Sequence, residues 1–367
     1  MRFRIERSMT LRIVGLAVRA WDLKLESPFT ISLGTFHEAP NVLVEVAIET
    51  ADGRRVRGYG EGAPTTMVAG ETREGTLAFL GQVAPLLEGR EAEDLEGIHA
   101  LLNRVSPRHF AAKAAVDLAL HDAIARAAGV PLAGWLGGVT RPFPTDVTVG
   151  LGAPQAMADK AEAEVRAGFS VLKLKLGSTE AEDVERVQRV RARVGPGVGL
   201  RLDANQAWTP VAALRIIERV EPLGIELVEQ PVRAGNVRGL AEVARRSPVP
   251  IMADESLFTP EDAFRLAEQQ ACHVFNIKLM KCGGLYPARK INAIGEAAHI
   301  RTFLGCMLES RLGIAAAAHF VAATGNVLGA DLDSHLYFRE DPLEGGPRIE
   351  RGEFRFPPGP GAGPVPR

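Results

Sequence analysis

The feature that most constrains this chain is a recurrence of short apolar runs, each closed by a charged residue. VLKLK ends on Lys175, LRLD on Asp203, IELVE on Glu229, PIMAD on Asp254, VFNIK on Lys278 and VLGAD on Asp331. The intervals are 28, 26, 25, 24 and 53 positions; the last holds two repeats, with RTFLG near Phe303 as the strand between. A period of about 25 residues carrying one strand and one helix is a β/α repeat. When such repeats close into a barrel, the C-terminal strand ends share one mouth, and chemistry gathers there. Three carboxylates and the lysines of two strands are therefore expected in one pocket.

The 367 residues exceed one ordinary domain, so a barrel with a smaller domain is expected. Hydrophobic residues make up 46% and charged residues 24%, which suits a soluble protein with a large core. A net charge of −2 gives no footprint for nucleic acid or an anionic membrane surface. Cys272, Cys282 and Cys306 form neither a disulfide framework nor a CxxC pair, which points to a reducing, cytoplasmic setting. The start MRFRIERSMT is a poor signal peptide, because Arg12 and Arg19 break the apolar stretch after it, and no run reaches membrane-spanning length. Met9 offers a second start to the fold.

Residues 10–24 and 42–49 read as strands, and Asp52-Gly53 followed by RRVRGYGEG as a turn and a third strand. Residues 27–39 between them read as a long loop, a length usually reserved for function. Residues 71–88 and 92–104 are helical by period, and the Ala- and Leu-rich stretch from 111 reads as a helix stopped by Gly129 and Pro131. TDVTVGLG (145–152) is the expected first barrel strand. Thr209-Pro210 and Thr259-Pro260 each place a capping hydroxyl before a proline at the first helical position. The tail PPGPGAGPVPR cannot be helical and reads as surface coil, while 336–356 are expected to return to the N-terminal domain.

Asp203, Glu229 and Asp254 end three successive strands. One acid at a strand end is easily a helix cap or an ion-pair partner; three converging acids repel unless a cation sits among them. Oxygen donors without His or Cys favour Mg²⁺, with Mn²⁺ as a substitute. Lys173 and Lys175, two apart on a strand, point to the same face, here the interior. A cation and a second ammonium nearby would each lower a lysine pKa towards use as a base. Lys278 lies across the mouth from them. Two bases facing each other can remove a proton from one face of a carbon and return one to the other. That parity assigns Lys175 and Lys278 to catalysis and Lys173 to electrostatic support; the alternative is that the lysines merely neutralise the carboxylates. Lys281 breaks the alternation and reads as a loop residue.

K-x-K at 173–175, DANQ at 203–206, EQP at 229–231, ADES at 253–256 and NIKLMKCGG at 276–284 together resemble the enolase superfamily, in its muconate-lactonizing branch. GVPLAGWLGG resembles the end of that family's capping domain. The resemblance implies an α/β fold, a (β/α)7β modified TIM barrel spanning 126–335, under an α+β capping domain of residues 1–125 completed by about 336–367. It implies abstraction of a proton α to a carboxylate, with the enolate held on Mg²⁺. Asp203, Glu229 and Asp254 would be the ligands, Lys175 and Lys278 the acid/base pair, and Asn205 and Glu255 would lie behind them.

Asp331-Leu332-Asp333 resembles the D-x-D of the dipeptide epimerases, which holds the substrate's α-ammonium. A pair of acids suits –NH₃⁺ and repels an anionic ring substrate. This implies a two-lysine epimerase acting on the C-terminal residue of a dipeptide, in a protein expected to be a homo-oligomer. Cycloisomerisation, o-succinylbenzoate synthesis with N-acylamino-acid racemisation, and a non-catalytic metal- and ligand-binding barrel stay as alternatives. A metal-dependent hydrolase would show His ligands, and none of the eight His falls at these strand ends. In the Ala-Glu epimerases an arginine after the first strand pairs with the substrate glutamate; aligned without a gap, its place falls on Gly34, and Leu33, Thr35 and Phe36 bring no cation. Substrate contact is assigned to Gly34 and Phe36, with Leu33 and Met67 adding apolar surface, so an uncharged, mainly apolar C-terminal residue is expected. A cationic one comes second, through Glu61 or Glu309.

Overall fold

The computed structural model describes residues 11–367; the question of Met9 lies outside them. Strands β1 (Arg12–Ile31), β2 (Gly34–Glu49) and β3 (Arg55–Gly62) form an antiparallel sheet. Helices α1 (Thr66–Ala69), α2 (Arg73–Leu87), α3 (Leu95–Val105), α4 (Phe110–Ala127) and α5 (Leu132–Trp135) come next. The register of β3 against α4 is set by small residues. Gly58, Gly60 and Gly62 share one face, and a Cβ on any of them would collide with the backbone of α4 at Ala119, Ala115 and Ala111. The alanines recur every four positions, so one helix face lies flat on a strand without side chains. Every residue of α4 except Arg126 is buried, including Lys113, Asp117, His121 and Asp122, so the helix lies between that sheet and the rest of the protein.

After β4 (Phe143–Pro144), eight parallel strands run in order: β5 (Val147–Val149), β6 (Val171–Lys175), β7 (Gly199–Asp203), β8 (Ile225–Glu229), β9 (Ile251–Ala253), β10 (Val274–Lys278), β11 (Arg301–Gly305) and β12 (Val327–Ala330). Helices α6 (Pro154–Ala167), α7 (Glu180–Val194), α8 (Pro210–Val220), α9 (Val237–Arg246) and α10 (Pro260–Glu268) fill the first five crossovers. The short α11 (Leu279–Cys282) and α12 (Leu285–Ala297) share the sixth, and α13 (Arg311–Ala323) the seventh. Asp146 N donates to Ala330 O at 3.0 Å, and Leu332 N to Thr145 Oγ1, so the edges at β5 and β12 meet. Thr209 and Thr259 cap α8 and α10 as their sequence implies.

The expected loop at 27–39 is instead the tip of a long hairpin. Phe29 pairs with Phe36, Thr30 with Thr35 and Ile31 with Gly34, leaving Ser32-Leu33 as the turn. A register shift between Lys24 and Phe29 interrupts the alternation, which is why the stretch does not read as strand. The tail is not simply surface coil: Gly361 O accepts from Leu132 N, and Ala362 N donates to the buried Asp122. Residues 336–356 divide. Arg339 N donates to Lys24 O on β1, and Leu343 packs with Leu43. Beyond β13 (Leu343–Glu344), β14 (Arg348–Glu350) pairs with β15 (Glu353–Arg355), and β15 with β4 ahead of the first barrel strand. Finally β16 (Val365–Pro366) pairs with β13.

Candidate active site

The strand ends bring the charged residues together as their spacing requires. Asp203, Glu229, Asp254, Lys173, Lys175 and Lys278 are all buried. Lys173 Nζ lies 3.0 Å from Asp203, 2.7 Å from Glu229 and 2.7 Å from Asp331. Lys175 Nζ donates to Asp203 Oδ2 at 2.6 Å and Asn205 Oδ1 at 3.1 Å, and Asn205 Nδ2 donates to Glu255 Oε1 at 3.1 Å. Lys278 Nζ donates to Asp254 Oδ2 at 2.8 Å. Lys175 and Lys278 belong to β6 and β10, with three strands between them, so they occupy opposite sides of an eight-stranded mouth.

Two members of this network escape sequence reading. Asn276 Nδ2 donates to Glu229 Oε1 at 2.8 Å; two positions before Lys278, it shares that residue's face. Lys281 is not a free loop residue: it is fully buried on α11, with Nζ 2.5 Å from Asp254 Oδ1. One helical turn after the strand returns it to the acid that Lys278 also touches, so strand parity was the wrong measure.

Among the described residues, no three His, Cys, Asp or Glu side chains already stand grouped as for a metal. Lysine ammonium groups lie among the carboxylates instead. The donor set nevertheless fits a hard cation. Burial, with Asp203 adding to it, pushes Glu229 up to about 8, so the lysines leave its charge undercompensated. Burial and then Asp254 push Glu255 up to about 7, and its Oε2 has no hydrogen-bond partner. The lowered lysine pKa expected from the sequence is not what the protein groups alone produce. Burial would lower Lys278, but Asp254 leads the carboxylates that outweigh it and hold the lysine above its ordinary range. Lys173 is raised in the same way, against burial, by Asp203, Asp331 and Glu229.

Asp331 and Asp333 both face the mouth. Asp331 takes Lys173, while Asp333 Oδ2 accepts from Thr148 N at 2.6 Å and from the Tyr337 hydroxyl. Burial, then the charge of Asp331, pushes Asp333 up to about 7. Both acids line a cavity of about 590 Å³ that also contains Lys173, Lys175, Asp254, Lys278, Phe29, Ile31, Phe36, Met67 and Tyr337. Gly34 does not line it; a side chain there would strike Met67 Sδ, which does. Leu33 sits in the exposed turn. Glu61 and Glu309 are buried away from the cavity, Glu61 accepting from Ser310 N and Gly313 N, and Glu309 from Met307 N. The glutamates that do line it are Glu38, Glu71 and Glu74. One arginine does too, Arg73, already paired with Asp22 at 2.5 Å and Glu74 at 3.1 Å.

A barrel mouth with facing lysines and a row of strand-end acids defines an α-proton-transfer scaffold, and comparison with known proteins agrees. Residues 13–137 match the family model for the mandelate racemase / muconate lactonizing enzyme N-terminal domain, and 156–367 the enolase C-terminal domain-like model. The chain belongs to the enolase superfamily, in its mandelate racemase/muconate lactonizing branch. It is 42% identical over 341 residues to the hydrophobic dipeptide epimerase of Enterococcus faecalis, covering 93% of this chain and 95% of that one. It is 39% identical over 357 residues to the L-Ala-D/L-Glu epimerase of Bacillus subtilis, covering 96% of each. The Enterococcus faecalis dipeptide epimerase in complex with Mg and L-Leu-L-Tyr superposes with a TM-score of 0.91 at 41% identity, over 96% of this chain and 99% of that one.

Proposed function

We propose that this protein is a Mg²⁺-dependent dipeptide epimerase that inverts the α-carbon of the C-terminal residue, with Lys175 and Lys278 as the two bases. The observation that carries the reading is the placement of those lysines on opposite sides of one cavity that Asp331 and Asp333 also line. The substrate's α-ammonium binds these two acids; as it docks, Asp331 exchanges its contact with Lys173 for the ligand. One lysine takes the α-proton from one face, and the other delivers a proton to the opposite face. Each turnover leaves the first lysine with one proton more and the second with one fewer, and exchange with solvent resets both. Lys173 stays beside Asp203 and Glu229 as a fixed positive charge. Asp203, Glu229 and Asp254 would hold Mg²⁺, or Mn²⁺ in its place, and the bound ion would supply counter-charge to the substrate carboxylate. Asn276 orients Glu229 through Nδ2, Asn205 reaches Asp203 through its main-chain N–H, and Glu255 lies behind Asn205. The same reading divides the chain into a capping unit, residues 1–125 completed by 336–367, and a barrel, 126–335.

Phe29, Ile31, Phe36 and Met67 offer an apolar side chain burial worth about 1.5–3 kcal/mol. Beyond the lysines of the barrel mouth, a substrate glutamate meets Glu38, Glu71 and Glu74, and the cavity's one arginine, Arg73, is already engaged. A buried carboxylate without a partner costs several kcal/mol, so apolar dipeptides are the substrates and cationic ones come second. The test is kcat/KM for L-Ala-L-Phe, L-Ala-L-Lys and L-Ala-L-Glu in D₂O, with deuterium read at the α-carbon of recovered dipeptide. We expect L-Ala-L-Phe to exceed L-Ala-L-Glu by roughly 10–200-fold. Preference for L-Ala-L-Glu would overturn the side-chain assignment, and absence of α-deuterium from all three would overturn epimerisation.

A further inference from the structure

Lys281 has no part in the proton transfer above, yet it is fully buried beside one of its central acids. Its Nζ lies against Asp254 Oδ1 at 2.5 Å and donates to the main-chain oxygens of Asp254, Leu257 (3.0 Å) and Asn276 (3.5 Å). With three donors and three carbonyl acceptors, the ammonium group is saturated and fixed. No directed hydrogen bond reaches Asp254 Oδ1, so the contact there is charge against charge. Lys278, three residues earlier, takes the other oxygen, Oδ2, at 2.8 Å and opens onto the cavity, which Lys281 does not line. One carboxylate is thus divided between a static lysine and a lysine able to move.

We propose that Lys281 is a positioning residue for Lys278. Its fixed charge occupies Asp254 Oδ1 and the carbonyls anchor the turn after β9, so Lys278 is tied to Asp254 through one oxygen and can swing to the substrate. Without that charge, both carboxylate oxygens turn to Lys278 and draw it away from the cavity. The inference rests on the two-lysine reading, under which Lys175 and Lys278 serve opposite faces of the same carbon.

The test tracks α-deuterium uptake from D₂O separately for L-Ala-L-Phe and L-Ala-D-Phe, with the full chain in Mg²⁺. Lys175→Ala and Lys278→Ala first establish which epimer depends on which lysine. Lys281→Met removes charge and all three donors; Lys281→Gln removes the charge but keeps two N–H donors for the carbonyls, so it serves as the folded control, checked by thermal melting. In Lys281→Gln, exchange of the epimer served by Lys278 should fall about tenfold or more relative to the other. A crystal structure of that variant without metal should show Lys278 Nζ within hydrogen-bond reach of both Asp254 oxygens. An equal fall for both epimers, or no change, overturns the inference and leaves the two-lysine reading standing. If the two alanine variants fail to separate the epimers, it is the two-lysine reading that fails.

Discussion

The barrel mouth and the seam between cap and barrel both bury carboxylates, but they satisfy them differently. In the mouth, Asp203, Glu229 and Asp254 are met largely by lysine side chains. In the seam, Glu61 at the end of β3 accepts from Ser310 N and Gly313 N at the start of α13, from Ser310 Oγ at 2.6 Å and from Asn41 Nδ2 at 2.8 Å. Asp117 on α4 accepts from Leu285 N and Tyr286 N at the start of α12, and from His99 Nε2 at 2.8 Å. Each seam acid thus caps a barrel helix from another part of the chain, where the helix dipole favours negative charge. A main-chain N–H cannot leave, whereas an ammonium on a four-carbon stem can swing aside for a cation or a substrate. Burial of a carboxylate therefore does not by itself mark a functional site; the mobility of its partners does.

The largest effects should separate the two regions by activity. Lys175→Ala and Lys278→Ala should each lower kcat/KM for epimerisation by about 10²–10⁴-fold, while exchange of one epimer's α-proton persists through the surviving lysine. Glu61→Gln should retain most of kcat. Equal loss in Glu61→Gln and Lys278→Ala would erase the distinction, and near wild-type epimerisation in either lysine variant would remove the two-base reading.

Metal dependence sharpens the contrast next. A chelator should abolish turnover and Mg²⁺ restore it. At about 100 times its dissociation constant, Mg²⁺ should also stabilise the wild type by about 2.7 kcal/mol. That gain should vanish in Asp203→Asn and survive in Asp117→Asn. Full activity after thorough chelation would sink the assignment of Asp203, Glu229 and Asp254 as ligands.

These regions were not equally legible in sequence. The mouth was, because a charge closing an apolar run at a constant interval is one-dimensional information about a closed barrel. The seam was not: Glu61 lies near the end of a strand much as Asp203 does, and only the packing of β3 against α13 directs it away from the cavity. Lys281 was misread because the chain changes from strand to helix immediately before it. The hairpin at 27–39 was misread because its register shift hides the alternation. The cavity's glutamates, Glu38, Glu71 and Glu74, and Arg73 come from the cap by tertiary placement, which no spacing encodes.

The smallest predicted effects distinguish the two seam acids from each other, through the pH dependence of stability. Asp117 is held below the ordinary carboxylate range: burial opposes this, but His121 and His99 outweigh it. Glu61 is raised, because burial exceeds the pull of Ser310, Asn41 and Gly313. The signs depend on which state binds the proton more tightly. A depressed folded pKa contributes stability that is present above the unfolded value of 3.8 and lost as pH falls through the folded one. A raised folded pKa does the reverse, contributing below the unfolded value of 4.5 and losing that contribution as pH rises through the folded one. The cost of Asp117→Asn should therefore be greatest near neutrality and shrink in strong acid. The cost of Glu61→Gln, about 2 kcal/mol from the mismatched amide, should be greatest in mild acid and shrink towards neutral pH. Glu309, pushed up to about 8 by burial and then by the charge of Glu61, moves in the same direction, so each variant must be compared with wild type at every pH. Urea unfolding from about pH 3 to pH 7 measures both costs. Parallel pH dependences for the two variants would mean that the histidines beside Asp117 do not set it apart from Glu61.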